Sequence, residues 1–177
     1  MPGRSDDPLL AGLVAGREDA LAAAYDLFAQ RLVAAAWGML GSREEAEDAV
    51  QEVFLNLVRS RSALADVENL QGYLFTALRH AAMRRWNGRK RERASADLGA
   101  AEDLAAPEAA RAERSARLER ALQALPPEQR AVVAMKIDGG LTFAEIAAVL
   151  GTSLSTAASR YRYALEKLRQ RLEEERT

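Results

Sequence analysis

The chain has 177 residues, 49% of them hydrophobic and 6% aromatic, which is enough for one domain or two small ones. It contains no Cys, which excludes a disulfide framework and a thiolate metal site. No apolar run approaches the ~20 residues that cross a bilayer, and the N-terminus lacks the apolar core of a signal peptide. These features predict a soluble, cytoplasmic protein.

The net charge of −1 conceals strong charge blocks along the chain. Residues 79–93 carry seven Lys or Arg and one acid, whereas residues 95–113 carry five acids and one Arg. DNA-binding domains are usually basic, so the net charge alone argues weakly against nucleic acid as a partner. The distribution of charge is therefore more informative than its sum.

The first half of the chain is predicted to be helical, because Ala and Leu dominate and β-branched residues are few. Helices are predicted over residues 9–14 and 18–40. In the second of these, apolar side chains recur every three or four residues and are expected to face the core: Leu21, Tyr25, Phe28, Leu32, Ala36 and Met39. Gly41 is expected to end this helix, because glycine readily adopts the left-handed conformation of a C-cap.

Two further helices are predicted before residue 90. Ser42 and Glu45 have the spacing of a capping box, which starts a helix that runs to about residue 59. Its expected core side chains are Ala46, Val50, Val53, Phe54 and Leu57. Residues 60–68 are predicted to form a loop, after which Asn69 can cap a helix over residues 70–86. The apolar face of that helix comprises Tyr73, Leu74, Ala77, Leu78 and Ala81.

The helical periodicity stops after Asn87 and Gly88. Residues 89–107 are rich in Ala, Asp, Glu and Ser and have few large apolar side chains, so they are predicted to form a flexible acidic linker. The predicted fold is thus all-α, with two small helical domains at residues 1–90 and 113–177, joined by a flexible acidic linker over residues 91–112.

Helical pattern resumes at Pro107 and ends at the Pro126-Pro127 pair. Its apolar positions are Leu118, Leu122 and Leu125. A helix over residues 127–138 follows, with apolar positions at Val132, Val133, Met135 and Ile137, and the Gly139-Gly140 pair then turns the chain.

Residues 142–172 have the pattern of a helix-turn-helix. Thr142 and Glu145 form a second capping box, and Gly151 separates a short helix from a longer one. On the longer helix, five side chains are expected to face inward: Ala157, Tyr161, Leu165, Leu168 and Leu172. The opposite face carries hydroxyl and guanidinium groups, which suit phosphates and base edges. An ordinary surface helix, with Arg for solubility, is the alternative interpretation.

Two features of the first half also suggest binding surfaces. Asp48, Gln51 and Glu52 share one helical face and form a polar patch, although a solvated acidic face has the same pattern. The following helix interleaves aromatic and basic side chains, which suits single-stranded nucleic acid: Tyr73, Phe75, Arg79, His80, Arg84, Arg85 and Trp86. Alternatively, Tyr73 and Phe75 belong to the core and the basic tail is a disordered arm.

The order of these segments resembles bacterial RNA polymerase sigma factors of the extracytoplasmic-function (ECF) type. AEDAVQEVFLNL is followed by NLQGYLFTALRHAAMRRW, by the acidic linker and by LQALPPEQRAVVAMKIDGGLTFAEIAAVLGTSLSTAASRYRYALEKLR. The resemblance covers residues 20–172 and rests on the joint order and spacing of the motifs. It implies a region 2 helical bundle and a region 4 helix-turn-helix.

The resemblance also implies a function for each candidate site. The polar patch would dock on the clamp helices of RNA polymerase core through Asp48, Gln51 and Glu52. Single-stranded bases of the −10 promoter element would be captured by Asn69, Tyr73, Arg79, His80 and Arg84. The −35 duplex would be read by Thr156, Ser159, Arg160, Arg162 and Tyr163. The linker would enter the active-site and RNA-exit channels of the polymerase, and an anti-sigma factor would cover the binding faces. No cofactor, metal or enzymatic activity is implied.

The sequence departs from the usual family pattern at several positions. The family commonly has Trp at Tyr73 and Asn at His80. It commonly has Val followed by Lys or Arg where this chain has Ala157 and Ala158, so one expected cation of the recognition helix is missing. Two other functions are considered: a helix-turn-helix regulator that acts without polymerase, and a helical interaction protein that has lost promoter binding.

Overall fold

The computed structural model describes residues 8–93 and 106–174, and every regular element within those ranges is helical. We name residues 8–93 the N-terminal module; its elements are α1 (Pro8–Val14), α2 (Glu18–Leu40), α3 (Arg43–Arg59), a 3-10 helix (Arg61–Asp66) and α4 (Leu70–Arg93). The C-terminal module, residues 106–174, contains α5 (Ala106–Gln123), α6 (Pro127–Ile137), α7 (Phe143–Leu150) and α8 (Leu154–Glu174). The predicted all-α fold is confirmed. Most of the predicted acidic linker, residues 94–105, lies outside the described residues.

The ends of the helices follow the local signals in the sequence. Gly41 closes α2 with φ of 72°, and Gly151 closes α7 with φ of 60°, a region that favours glycine. At α7 both bonds of the predicted capping box form, because Thr142 Oγ1 accepts the Glu145 N–H and Glu145 Oε2 accepts the Thr142 N–H at 2.7 Å. The Ser42 hydroxyl likewise accepts the N–H of Glu45 at the start of α3.

Two predicted boundaries are wrong. The predicted loop at residues 60–68 contains the 3-10 helix, which is anchored by the fully buried Leu64. The predicted end of α4 at residue 86 is also wrong, since the helix continues to Arg93. Apolar periodicity reports which residues are buried, and it disappears where a helix leaves the core. The Arg, Lys and Glu residues beyond Gly88 have high helix propensity and continue the helix.

The two modules share one hydrophobic core. Side chains of α2 and α4 pack against α6, α7 and the turn between them, so that Met39, Phe75, Met135 and Ile146 belong to one buried cluster. Helices α2 and α6 approach closely at Gly38, where an added Cβ would lie 3.0 Å from that of Ala134. A small residue at this crossing lets the two backbones come together. A second, smaller cluster lies within the C-terminal module, between α5, α6 and α8.

Several apolar side chains at the periodic positions of the predicted helices are exposed. They are Tyr25, Leu118, Ile137 and Leu165, with exposures between 41% and 58%. On α8, Ala164 rather than Leu165 occupies the buried position, because the helix buries Ala157, Ala164 and Leu168. The spacing of apolar residues identifies the buried face of a helix only to within about one residue. The element that packs against the helix determines which of two neighbouring side chains is buried.

Candidate functional site

Two side chains of the polar patch on α3 face solvent, and the third forms ion pairs within the protein. Asp48 and Gln51 are exposed, as predicted for a docking surface. Glu52 is half-buried, and its carboxylate pairs with both Arg84 and Arg85 of α4. The Arg85 Nη1–Glu52 Oε2 distance is 2.8 Å. One predicted core-binding residue is thus in direct contact with one predicted −10 residue, Arg84.

The electrostatics of Glu52 follow from this arrangement. Burial opposes the ionised carboxylate, but the hydrogen bonds from Arg85 and Arg84, together with their charges, outweigh burial. As a result, the pKa of the Glu52 carboxyl lies below its usual value. The carboxylate therefore remains ionised at neutral pH and holds the two guanidinium groups at the side of α4 that faces α3.

The remaining candidates on α4 have different surroundings. Asn69 caps the helix, since its Oδ1 accepts the N–H of Gly72 at 3.0 Å. Tyr73 is half-buried against the core, and His80 is exposed. Phe75 is fully buried, so the alternative interpretation of it as a core residue is correct. A ring at 0% exposure cannot stack on a base.

Arg79 of α4 points toward the C-terminal module. Its Nη2 donates to Glu128 Oε1 of α6 at 3.0 Å, and Arg160 Nη1 of α8 reaches the other carboxylate oxygen, Oε2, at 3.3 Å. A predicted −10 residue and a predicted −35 residue therefore share one carboxylate. Glu128 carries no local signal in the sequence, because its partners are 49 and 32 residues away along the chain.

Three other contacts join the modules beside this ion pair. Arg31 of α2 donates to the carbonyl oxygen of Gly139, with Nε at 3.0 Å, and also to Gln71 Oε1. Gln71 in turn donates to Glu145 Oε1 at 2.9 Å. The buried guanidinium of Arg130 lies 3.9 Å from the centroid of the Trp86 ring, in the geometry of a cation–π contact.

Helices α7 and α8 form the predicted helix-turn-helix. The Phe143 and Tyr161 rings meet edge to face, with their centroids 5.4 Å apart, and pack α7 against α8. Ser153 caps α8 by accepting the N–H of Thr156 at 3.1 Å, and the two hydroxyl groups lie 2.8 Å apart.

The predicted −35 residues lie on α8 but differ in their exposure to solvent and in their contacts. Arg162 and Tyr163 are exposed, and the Arg162 guanidinium lies 5.3 Å from the Tyr163 ring centroid. Thr156 and Ser159 are half-buried, and Arg160 is held by Glu128. The structure therefore places the five residues on one helix, with Arg162 and Tyr163 directed to solvent.

Within residues 8–93 and 106–174, no group of His, Asp and Glu side chains is arranged to hold a metal ion. Within the same part of the chain, no helix is both long and apolar enough to cross a membrane.

Solved structures with this architecture include two protein complexes. One is the structure of CnrH in complex with the cytosolic domain of CnrY; the match has a TM-score of 0.72 and 24% identity, and it covers 96% of this chain and 98% of that one. The other is the sigma factor RpoE with the anti-sigma factor NepR from Bartonella quintana, with a TM-score of 0.65, 22% identity, and coverage of 86% and 96%. At these identities, the matches establish the fold.

The sequence comparisons establish the family. The family models "Sigma-70 region 2" and "Sigma-70, region 4" match residues 24–92 and 115–168. The ECF RNA polymerase sigma factor SigK of Mycobacterium ulcerans is 33% identical, with 95% of each chain covered. The ECF sigma factor EcfG of Rhodopseudomonas palustris is 30% identical over 86% of this chain and 82% of its own. The order of helices, the helix-turn-helix and these matches along almost the whole length agree, and the chain belongs to the ECF subfamily of sigma-70 factors.

Proposed function

We propose that this sigma factor docks on RNA polymerase core through the polar patch Asp48, Gln51 and Glu52, and that it directs the enzyme to promoters. The observation that carries the proposal is the exposure of Asp48 and Gln51 on one face of α3. Exposed side chains held on a rigid helix can be desolvated by a partner without refolding the chain. The transcription chemistry belongs to the polymerase, so no reaction is proposed for this chain.

We propose that α4 captures the −10 element as single-stranded DNA. His80 is exposed for stacking on a base, and Tyr73, two helical turns before it on α4, is partly accessible. Asn69 holds the start of α4 and can still offer its amide to a nucleotide. Arg79 and Arg84 supply positive charge once their carboxylate partners release them.

We propose that α8 reads the −35 element in the major groove. Arg162 and Tyr163 are the most accessible of the five predicted residues, and Thr156 and Ser159 lie nearer the start of the helix. At the position where relatives commonly place a cation, Ala158 contributes only a methyl group. Arg162 is accordingly expected to provide a larger share of the binding energy than any other residue of this helix.

Transcription with purified components tests the proposal. Core RNA polymerase of the source organism, mixed with this chain and a library of its promoter fragments, is expected to give specific run-off transcripts that core alone does not give. The absence of both core binding and transcripts would contradict the proposed function. Duplex binding without core binding would instead identify a helix-turn-helix regulator that acts alone.

The role of α8 is tested separately by Arg162→Ala. Loss of a base-reading arginine costs about 1–3 kcal/mol, so the affinity for the selected −35 duplex is expected to fall roughly 5- to 150-fold. Fluorescence anisotropy with the promoter duplex measures the change. Arg59→Ala, which removes an exposed arginine at the end of α3, serves as the matched control. An equal loss in the two variants would show that Arg162 contributes only general charge.

We also propose that an anti-sigma factor regulates this chain in the cytoplasm, where the polymerase acts. The two solved structures above support this proposal, since one is a sigma factor in complex with an anti-sigma factor and the other is CnrH in complex with the cytosolic domain of CnrY. An apolar groove of about 570 Å³ lies between α2, α5, α6 and α8 and is lined by Leu118, Ile137 and Leu165. Such a groove suits the apolar face of a partner helix.

A further inference from the structure

We propose that Glu128 is an intramolecular latch, which helps to hold the two modules closed through Arg79 and withholds this DNA-binding cation until the chain opens. This inference rests on the proposed function, because it takes Arg79 as a promoter contact. It adds a regulatory property of the chain itself that requires no partner protein.

The geometry of the latch is that of one carboxylate between two guanidinium groups. Glu128 Oε1 lies 3.0 Å from Arg79 Nη2 of the N-terminal module, and Oε2 lies 3.3 Å from Arg160 Nη1 of α8. The exposed fractions of the three side chains are 37% for Glu128, 20% for Arg79 and 33% for Arg160. Partial burial reduces screening by salt, so these pairs are stronger than pairs on an open surface.

The contacts around the latch favour the same closed arrangement. Arg130 follows Glu128 by two residues on α6, and its guanidinium packs on the Trp86 ring of α4. Arg31 and Gln71 join α2 and α4 to the turn before α7 and to Glu145. In the closed chain, Glu128 therefore sits at the edge of a packed interface, where loss of its charge removes an attraction without opening a cavity in the core.

Closure and DNA binding compete for Arg79. A phosphate offers anionic oxygens to a guanidinium as a carboxylate does, so Arg79 cannot pair fully with Glu128 and with DNA at once. Arg160 belongs to the same module as Glu128, so its ion pair does not depend on closure. Apparent DNA affinity of a chain that is only partly open is reduced by its open fraction. Removing the charge of Glu128 is therefore expected to increase both the open fraction and the affinity for DNA.

Because the chain contains no Cys, two introduced cysteines can be labelled specifically, and energy transfer between their dyes then reports the distance between the modules. Asp26→Cys on α2 and Gln170→Cys on α8, both exposed, allow a donor and an acceptor dye to be attached to the full chain. In this background Glu128→Gln is expected to raise the open-to-closed ratio roughly tenfold. The matched control is Glu173→Gln, which also removes a carboxylate charge and an ion pair, but one within α8.

Binding to a short single-stranded DNA of mixed sequence supplies a second readout, because Arg79 belongs to the proposed single-strand surface of α4. This DNA is expected to bind Glu128→Gln roughly tenfold more tightly than the wild-type chain, with little change for Glu173→Gln. Increasing salt is expected to open the wild-type chain more than Glu128→Gln, because only the former loses the screened ion pairs. A thermal melt confirms that both variants are folded.

The outcomes separate this proposal from the proposed function. Unchanged energy transfer and unchanged single-strand affinity in Glu128→Gln would overturn the latch, as would an equal effect of Glu173→Gln. Neither result bears on core binding or run-off transcription, which are measured independently. Conversely, if the chain opens on loss of the Glu128 charge but does not bind core, the result would support the latch and contradict the proposed function.

Discussion

Replacing Asp48 with lysine is expected to weaken binding to RNA polymerase core about a hundredfold or more. Asp48 is an exposed residue of the polar patch and forms no ion pair with any described residue. A reversed charge at the centre of a complementary interface both loses an attraction and adds a repulsion, which together cost several kcal/mol. Surface plasmon resonance with immobilised core polymerase measures the loss, and run-off transcription is expected to fall in parallel.

The fold of the Asp48→Lys variant is expected to remain unchanged, since substitutions at exposed positions away from special features usually alter stability by less than about 0.5 kcal/mol. Glu119→Lys, an equal charge reversal at an exposed position of α5, is the matched control. It is expected to bind core as the wild-type chain does. Unchanged core affinity in Asp48→Lys, or an equal loss in Glu119→Lys, would show that the polar patch is not the docking surface.

Glu52 is a poorer choice for this experiment, although it belongs to the same patch. Its carboxylate pairs with Arg84 and Arg85, so a lysine there would place three cations side by side. The resulting repulsion would disturb the contact between α3 and α4 and with it the predicted −10 surface. A loss of transcription in that variant could arise from either surface, whereas Asp48 reports on core binding alone.

The parts of this structure that were predicted correctly depend on short stretches of sequence. The Thr142–Glu145 capping box, the glycine C-caps at Gly41 and Gly151, and the extent of α2 are each determined within a few residues. The shared face of positions 48, 51 and 52 also follows from their spacing on one helix, whereas the pairing of Glu52 with Arg84 and Arg85 does not. Interactions within a few residues determine these features independently of the contacts between the modules.

The features that were not predicted depend on contacts between distant residues. Glu128 gave no local signal, since Arg79 and Arg160 reach it from two other helices. Similarly, periodicity placed Tyr25 in the core and allowed Phe75 to face DNA, whereas Tyr25 is 54% exposed and Phe75 is fully buried. An aromatic ring can lie in the core or on the surface. Only the packing of the modules therefore determines which of these two environments each ring occupies.

Phe75→Ala is expected to destabilise the whole chain by about 3–5 kcal/mol, the usual cost of removing a buried phenyl ring. The ring is fully buried between the modules: a Cβ added at Gly139 would lie 2.8 Å from Phe75 Cε1, and the Arg31 guanidinium lies 5.9 Å from the ring centroid. The cavity would therefore open at the contact of α4 with the turn between α6 and α7. Urea unfolding followed by circular dichroism measures the loss.

Tyr25→Ala is the matched control, because it removes an aromatic ring of similar size from α2 at a half-exposed position against Phe54. Its expected cost is about 1 kcal/mol. Because Phe75 joins the two modules, the wild-type chain is expected to unfold in one transition, and Phe75→Ala is expected to shift that transition rather than to split it. Two separate transitions in the wild-type chain would show that the shared core does not couple the modules. Comparable losses in Phe75→Ala and Tyr25→Ala would contradict the burial of Phe75, and with it the closed arrangement on which the latch depends.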